Sequence, residues 1–427
     1  MDISQNLLKN KKIILAVTGS IAVYKSLELA RLFVKSGAEV RVVMSEAAKK
    51  FVTPLTFETL TSNKVLDDTN EDWTSYHNHI KLAQWADIMV IAPATANTIA
   101  KLANAIADNI LLQVALAYPD VKILAPSANT NMLQHPISQA NLKMLAIANF
   151  TIVDTQTKEL ACKTTGDGAM AEPLDIFYET ARELLKDQFW SDRMVMVTGG
   201  GTIEKIDDVR YLSNFSSGKM AAAVATALYL KGADVNLIST KLSDDLPKNM
   251  HKIHVEDSAE MMEYLVDSIR IAKKGKISKA TLMRDEHIHR IEKTPYLFMA
   301  AAVSDYIPAF TQSGKLKKDI LGDEWELALK KNVDILGSIN KEGIKVVGFK
   351  AEMDPQSAKT NATNMLENKG IDAVCLNILQ NSSSFGTDTN EIEFITKENS
   401  VMLPRAAKLE LSFEILENAK ELESSDE

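Results

Sequence analysis

Two short stretches of the chain, 180 residues apart, begin in the same way. IILAVTGS carries an apolar, β-branched run up to Gly19, and VMVTGGG carries another up to Gly199. β-Branched enrichment closed by glycine reads as a buried strand running into a tight turn. Each turn opens onto a stretch with helical spacing, first Leu27, Leu29, Ala30, Leu32 and Phe33, later an alanine-rich run from Lys219. The alternation then continues. Val40–Met44, Ile88–Ile91 and Ile123–Ala125 read as further strands in the front half, with amphipathic stretches such as Ser26–Lys35 and Thr98–Ala117 between them. After Met194–Val197 the rear half adds Asp234–Ile238, Tyr296–Ala301 and Val346–Phe349. Strands that are apolar throughout belong to a parallel sheet covered on both faces. The two restarts therefore predict an α/β chain of two doubly wound, Rossmann-like domains, 1–190 and 191–427. The boundary falls near Asp187–Arg193, between the helix-like Ile176–Lys186 and the new strand. Ligands are expected at the carboxyl ends of the strands.

Bulk properties narrow the function. A chain of 427 residues exceeds one ordinary core. A net charge of −9 argues against a generic binder of nucleic acid or anionic membrane. Two cysteines, with no CxxC, support neither a disulfide framework nor a zinc site and fit a reducing cytoplasm. The start, KNKKIILAVTGSIAVYKS, puts basic residues before an apolar run as a secretory signal does. Thr18-Gly19-Ser20 and the amphipathic pattern behind it are better explained by strand, turn and helix. No apolar run approaches the roughly 20 residues of a membrane span. The segment 270–293 has eight Lys/Arg against three Asp/Glu, and reads as a solvated insertion or helical hairpin with His287 and His289 at its surface. ELESSDE reads as a frayed acidic tail.

In the front half, TGSIAVYKS offers Ser20 and the amides of a helix start to a phosphate. It lacks the spaced glycines of GxGxxG, so anion site and simple turn both remain open. In IAPATANTIAKLANAIADNIL, small residues around Thr95 and Asn97 let a planar ring approach the backbone, or equally let helices pack closely. HNHIKLAQWAD holds His79, APSANTNM holds Asn129, and TKELACKTTGDGAM holds Cys162 in a polar stretch that reads as a mobile loop. A lone histidine is more often structural, and the cysteine alone is only a surface thiol.

In that order these motifs resemble the flavin-dependent cysteine decarboxylases, specifically the 4′-phosphopantothenoylcysteine decarboxylase domain, from about Lys12 to Leu185. The resemblance implies a flavodoxin-like flavoprotein that holds FMN through Gly19, Ser20, Ser45, Thr95, Asn97 and Ala128. It puts His79 at the active-site histidine, Asn129 at the substrate-binding asparagine and Cys162 on a lid over the substrate. The implied chemistry oxidises the substrate thiol to a thioaldehyde with FMN, which creates an electron sink beside the carboxylate. Loss of CO₂ leaves an enethiol, which reduced FMN and a proton from Cys162 convert to the product thiol. A thiol of reference pKa about 8.5 is a suitable donor. The chain departs from the pattern at Ser127-Ala128, where alanine-methionine is usual, at Lys163 for glycine and at Ala169 for arginine.

In the rear half, VTGGGTIEKIDDVRYLSNFSSGKM puts Gly199, Gly200 and Gly201 at a turn able to approach phosphates. Ser216, Ser217, Gly218 and Lys219 follow at a helix start, without the Walker spacing. Asp305 in AAAVSDY can hold magnesium or a nucleotide hydroxyl. Lys315, Lys317 and Lys318 in GKLKKDI can offset triphosphate charge. The order resembles the phosphopantothenate–cysteine ligase domain, from about Met194 to Glu417. That resemblance implies Asn214 acting on an acyl-cytidylate, Lys315 acting on the triphosphate, and a nucleotide site at Ala300, Ala301, Asp305, Val333, Asp334, Ile335, Phe349 and Lys369. It departs at GGGTIEK for GPT-x-E-P, at Val333 for proline and at Met365 for a second lysine. CTP with Mg²⁺ would activate 4′-phosphopantothenate, and cysteine would then displace CMP. The product is the substrate of the front half, so the resemblance implies a fused bifunctional enzyme of coenzyme A synthesis. Its relatives build trimers through one domain and dimers through the other, implying a dodecamer. Two other readings stay open, an NAD-dependent two-domain oxidoreductase and a non-catalytic flavin-binding partner protein.

Overall fold

Five parallel strands, β1 (Lys12–Val17), β2 (Glu39–Met44), β3 (Ile88–Ala94), β4 (Lys122–Pro126) and β5 (Phe150–Ile152), form the first sheet, in the order β2-β1-β3-β4-β5. The computed structural model describes residues 5–75, 77–159, 165–278, 289–317, 324–379 and 386–424. The chain divides into two compact units, one built on Met1–Leu185 and one on Lys186–Ile277 with Arg290–Glu427. In the first unit Ile14, Ala16, Met89, Ile91 and Leu124 pack on one face of the sheet with Ile99, Leu111 and Val114. Alternation turns Ile13, Leu15 and Val17 to the other face, and they too are fully buried. Helices Val23–Lys35 and Pro173–Leu185 pack together, with the Phe33 and Phe177 rings 5.7 Å apart. The chain leaves β1 toward β2 on one side and toward β3 on the other. That reversal opens a crevice at the carboxyl ends of β1 and β3.

Two expectations change here. Thr98–Ala117 is not one helix but two, Ala96–Ala103 and Ile110–Ala117. Ala105 has a φ of 53°, in the left-handed region, and Asn109 restarts the helix by accepting the Leu112 N–H at 3.0 Å. The expected loop around Cys162 has the arms of a hairpin, β6 (Gln156–Glu159) antiparallel to β7 (Thr165–Ala169). Polar anchoring replaces an apolar face, since Thr155 and Gln134 both donate to the Asp167 carboxylate. Cys162 and Lys163 themselves lie outside the described residues.

The second unit has an eight-stranded sheet. Its parallel part runs β12 (His251–His254), β11 (Asp234–Ser239), β8 (Met194–Gly199), β15 (Tyr296–Met299), β18 (Lys345–Glu352) and β19 (Ala373–Ile378). Antiparallel β20 (Thr389–Thr396) and β21 (Ser400–Ala407) complete it. Order reverses between β8 and β15, so the second crevice opens there. Three small ladders stand apart from this sheet. They are β9 (Glu204–Lys205) with β10 (Tyr211–Leu212), β13 (Lys276–Ile277) with β14 (Arg290–Ile291), and β16 (Tyr306–Pro308) with β17 (Leu329–Lys331). The basic 270–293 segment thus begins in the end of helix Ser258–Ala272 and is pinched by β13 and β14. His289 is exposed and His287 lies outside the described residues.

The start of this unit is pinned to its last helix, Lys408–Ser424. The buried Arg193 guanidinium meets Glu423 at 2.8 Å, stacks 4.0 Å from the Phe189 ring centre and donates to the Thr294 carbonyl at 2.6 Å. Lys420 meets Asp187 at 2.7 Å. Burial pushes the pKa of Asp187 and Glu423 up, but the Lys420 and Arg193 hydrogen bonds outweigh it and hold both below the ordinary carboxylate value. A depressed folded pKa stabilises above the unfolded value and stops doing so as pH falls through the folded one. The melting temperature of the chain is therefore expected to lose this contribution only below about pH 4, near the reference carboxylate values. A Lys420→Ala, Glu423→Gln chain will lose less stability across that window, as thermal denaturation followed by circular dichroism will show.

Candidate active sites

In the first unit a cavity of about 480 Å³ sits at the crevice, with walls from four strand ends. Thr18, Gly19 and Ser20 follow β1, Ser45 follows β2, Thr95 and Asn97 follow β3, and Ser127 and Ala128 follow β4. Thr18 ties two of these ends, donating from Oγ1 to the Pro93 carbonyl at 2.6 Å and accepting the Thr95 N–H at 3.1 Å. The Ser20 and Ser127 hydroxyls meet at 3.0 Å. Gly19 is demanded by space, since a Cβ there would stand 2.5 Å from that of Ala47. The result is a hydroxyl-lined concavity with small walls, able to take a planar ring and a phosphate.

Two predicted residues stand outside that lining. His79 begins helix His79–Trp85, its Nδ1 lies 2.6 Å from Glu71 Oε1, and its ring packs T-shaped with that of Trp73, centroids 5.4 Å apart. In the tautomer that donates from Nδ1 to the Glu71 carboxylate, Nε2 is the acceptor of the ring. Nothing in the spacing of the sequence pointed to Glu71. Asn129 caps helix Thr130–Gln134, accepting the Asn131 N–H at 3.0 Å. Next to it Ala128 donates to the Gly168 carbonyl at 3.2 Å, which docks the hairpin carrying Cys162 against the asparagine loop. A Cβ on Gly168 would fall 2.1 Å from the Ala128 oxygen. Gly168→Ala is therefore expected to push the hairpin off the Asn129 loop and cut turnover at this site by about 10²-fold, the scale of a 1 Å misplacement. Turnover measured beside circular dichroism of the folded chain checks it.

In the second unit the crevice holds a larger cavity, about 1020 Å³. Asn214, Ser216, Ser217 and Gly218 form one wall, Ala300, Ala301 and Asp305 another, and Val333, Asp334, Ile335, Phe349 and Lys369 a third. Gly200, Lys219 and Lys315 are not among the lining residues. The glycines also allow close approach within the protein. A Cβ on Gly199 would stand 2.5 Å from that of Ala221, and one on Gly200, whose φ is +80°, would stand 2.1 Å from Thr240 Oγ1. Lys219 meets the Gly386 carbonyl at 2.8 Å and Asp388 at 2.6 Å. The Asn214 amide donates to the Val303 carbonyl at 3.1 Å, which fixes it beside AAAVSDY. Asn332 Nδ2 donates to the Ser304 carbonyl at 2.8 Å and its N–H to the Asp305 carbonyl at 2.8 Å, joining the second and third walls.

Charge in this cavity is mixed. Lys331, Lys350, Lys369 and Lys408 stand against Asp305 and Asp334. Lys369 bonds Asp334. Burial raises the Asp334 pKa, but the Lys369 and Gly337 hydrogen bonds prevail and hold it below the ordinary carboxylate value. Burial lowers the pKa of Lys408, with the neighbouring Lys219 charge acting the same way. Cys375, fully buried at the floor, is pushed far above the usual thiol range by desolvation. Helix Pro355–Lys369 supplies Asn361, Asn364 and Asn368, residues the sequence reading missed. Their spacing of three and then four is the signal, a helix face written in amides where apolar residues are usual.

Residues 1–185 match the family model described as flavoprotein, and 190–275 with 266–422 match that of the DNA/pantothenate metabolism flavoprotein C-terminal domain. The coenzyme A biosynthesis bifunctional protein CoaBC of Haemophilus influenzae is 34% identical over 96% of this chain and 97% of its own length. That of Bacillus subtilis is 36% identical over 96% and 97%. The chain belongs to the CoaBC family. Its front half is a flavoprotein domain and its rear half the C-terminal domain of that family. A solved cysteine-to-serine mutant of PPC decarboxylase, complexed with pantothenoylaminoethenethiol, is 33% identical over 40% of this CoaBC-family chain and 97% of its own, with a TM-score of 0.37. No described helix is long and apolar enough to cross a membrane.

Proposed function

We propose that the chain joins 4′-phosphopantothenate to cysteine at the expense of CTP and decarboxylates the product to 4′-phosphopantetheine with FMN. Its parts are a decarboxylase domain over 1–190 and a ligase domain over 191–427. The observation that carries the reading is the larger cavity. Asn214, SSG, Asp305, NVDI, Phe349 and Lys369 are scattered along the rear half of the sequence and line one crevice at the strand-order reversal. A sugar-nucleotide-sized ligand fits about 1020 Å³, and the smaller cavity suits a flavin mononucleotide.

In the ligase half Lys315 and the cavity lysines offset the charge that develops on the triphosphate as the substrate carboxylate attacks the α-phosphate. Asn214, held by the Val303 carbonyl, is placed to act on the acyl-cytidylate when the cysteine amine displaces CMP. No group of three or more His, Cys, Asp or Glu able to hold a metal occurs among the described residues. The fit is still good for magnesium, which takes one or two carboxylates and completes its shell from phosphates and water. Asp305 would hold it, and the ion would neutralise phosphate charge.

In the decarboxylase half the hydroxyls of Ser20, Ser45 and Thr95 and the small walls at Gly19 and Ala128 suit FMN, with Asn97 at the rim. The flavin supplies a two-electron acceptor that is restored at the end of the cycle. Asn129 holds substrate, His79 presents Nε2, and Cys162 gives the last proton under a closed hairpin. We further propose a cytoplasmic homo-oligomer, a dodecamer of trimers and dimers, working on small molecules alone. The test is incubation of the yellow protein with 4′-phosphopantothenate, cysteine and CTP–Mg²⁺, with masses read over time. Pyrophosphate, CMP and 4′-phosphopantetheine are expected. A colourless chain, or CTP left intact, would overturn the respective half.

A further inference from the structure

The turn between β9 and β10 is not part of the cavity, yet it has hold of the lysine motif. Asp207, 2% exposed, accepts on Oδ1 from the N–H groups of Val209 at 2.8 Å and Arg210 at 2.7 Å. Its Oδ2 accepts the Leu316 N–H at 3.1 Å and lies 3.0 Å from Arg210 Nη2. The same Nη2 donates to the Leu316 carbonyl at 2.6 Å. Asp208 Oδ2 accepts the Gly314 N–H at 2.7 Å. Ile206 and Lys205 extend the seam through their carbonyls, which take Gln312 N–H at 3.1 Å and Thr311 Oγ1 at 3.2 Å. The backbone on both sides of Lys315 is therefore clamped while Lys315 itself is exposed.

We propose that Asp207 and Asp208, on this turn, are the positioning residues for Lys315 in pyrophosphate release. The proposal rests on the CTP reading above. Lys315 lies in the long connection between β16 and β17, and ordering such a loop costs conformational entropy that local hydrogen bonds must offset. Carboxylates suit the task, because charge-assisted bonds to N–H groups are roughly twice as strong as neutral ones. Desolvation pushes Asp207 up, but its backbone donors and Arg210 outweigh that and keep it ionised well below neutral pH. The turn also continues through β10 directly to Asn214. One short hairpin thus sets the lysine of the first step and the asparagine of the second on a common frame.

The experiment uses the full-length flavin-bound chain with Asp208→Ala, Asp208→Glu and Asp207→Asn. Pyrophosphate release from CTP–Mg²⁺ and 4′-phosphopantothenate is followed with cysteine present, so that CMP is displaced and the enzyme turns over, resolving kcat from KM. Tryptic cleavage after Lys315 and Lys317 is followed without any ligand. Decarboxylation of supplied 4′-phosphopantothenoylcysteine reports on the fold. Asp208→Ala is expected to lower kcat for pyrophosphate release about tenfold and Asp207→Asn about 10²-fold, with KM for CTP changed less and decarboxylation unchanged. Cleavage beside Lys315 should rise in both, and Asp208→Glu should restore part of each loss. Native cleavage and native kcat in both Asp208→Ala and Asp207→Asn would overturn the positioning role. A native chain that never releases pyrophosphate would instead overturn the CTP reading, while the cleavage contrast would still report on the clamp.

Discussion

A chain carrying Cys162→Ser is expected to keep its yellow colour and its melting temperature but to form 4′-phosphopantetheine about 10²–10⁴-fold more slowly, the usual weight of a positioned proton donor. A serine hydroxyl is far too weak an acid to replace a thiol near pKa 8.5. Flavin reduction should survive, because electrons leave the substrate before the last proton arrives, so the variant should stall with a mass two hydrogens below the product. A stopped reaction analysed by mass spectrometry checks both points. Release of product at the native rate would remove the cysteine from the mechanism.

The second large effect is expected from Lys315→Gln. Loss of one charge that stabilises a developing phosphate anion costs about 10²–10³-fold in kcat. Pyrophosphate release should fall by that factor while decarboxylation of supplied 4′-phosphopantothenoylcysteine proceeds at its native rate. The separation matters because the two reactions share one chain. Radiolabelled CTP and an independent thiol assay resolve them, and a variant with native pyrophosphate release would shift the role of Lys315 to the cavity lysines and magnesium.

What could be read from the sequence was set by how local its cause is. Strands such as Ile13–Val17 and Met194–Val197 announce themselves, because burial on both faces forces an unbroken apolar run. The helix break at Ala105 was hidden, since alanine carries no warning of a left-handed φ and Asn109 looks like one more polar residue of the same helix. The hairpin around residue 162 was read as a loop for a related reason. Its arms are held by Asp167 and by the Ala128–Gly168 bond, contacts made far along the chain, and not by alternating apolar residues. The ligase cavity was legible where motifs recur as blocks, as in SSGK, SDY and NVDI. Asn361, Asn364 and Asn368 escaped because an amide face on a helix has the look of an ordinary solvated face until its surroundings are known. The glycines of VTGGG also make room for Ala221 and Thr240, contacts made far along the chain that the motif does not announce.

The clasp of Arg193 on Glu423 and of Asp187 on Lys420 brings the point where the chain enters the second unit within an ion pair of where it leaves. The rear portion is accordingly a closed circuit. New termini cut into one of its outer loops, with the old ones joined by a brief linker, would leave the sheet order intact. The same clasp makes the final turn a poor place for truncation, because trimming back to residue 419 strips away both acidic and basic halves of the fastening at once.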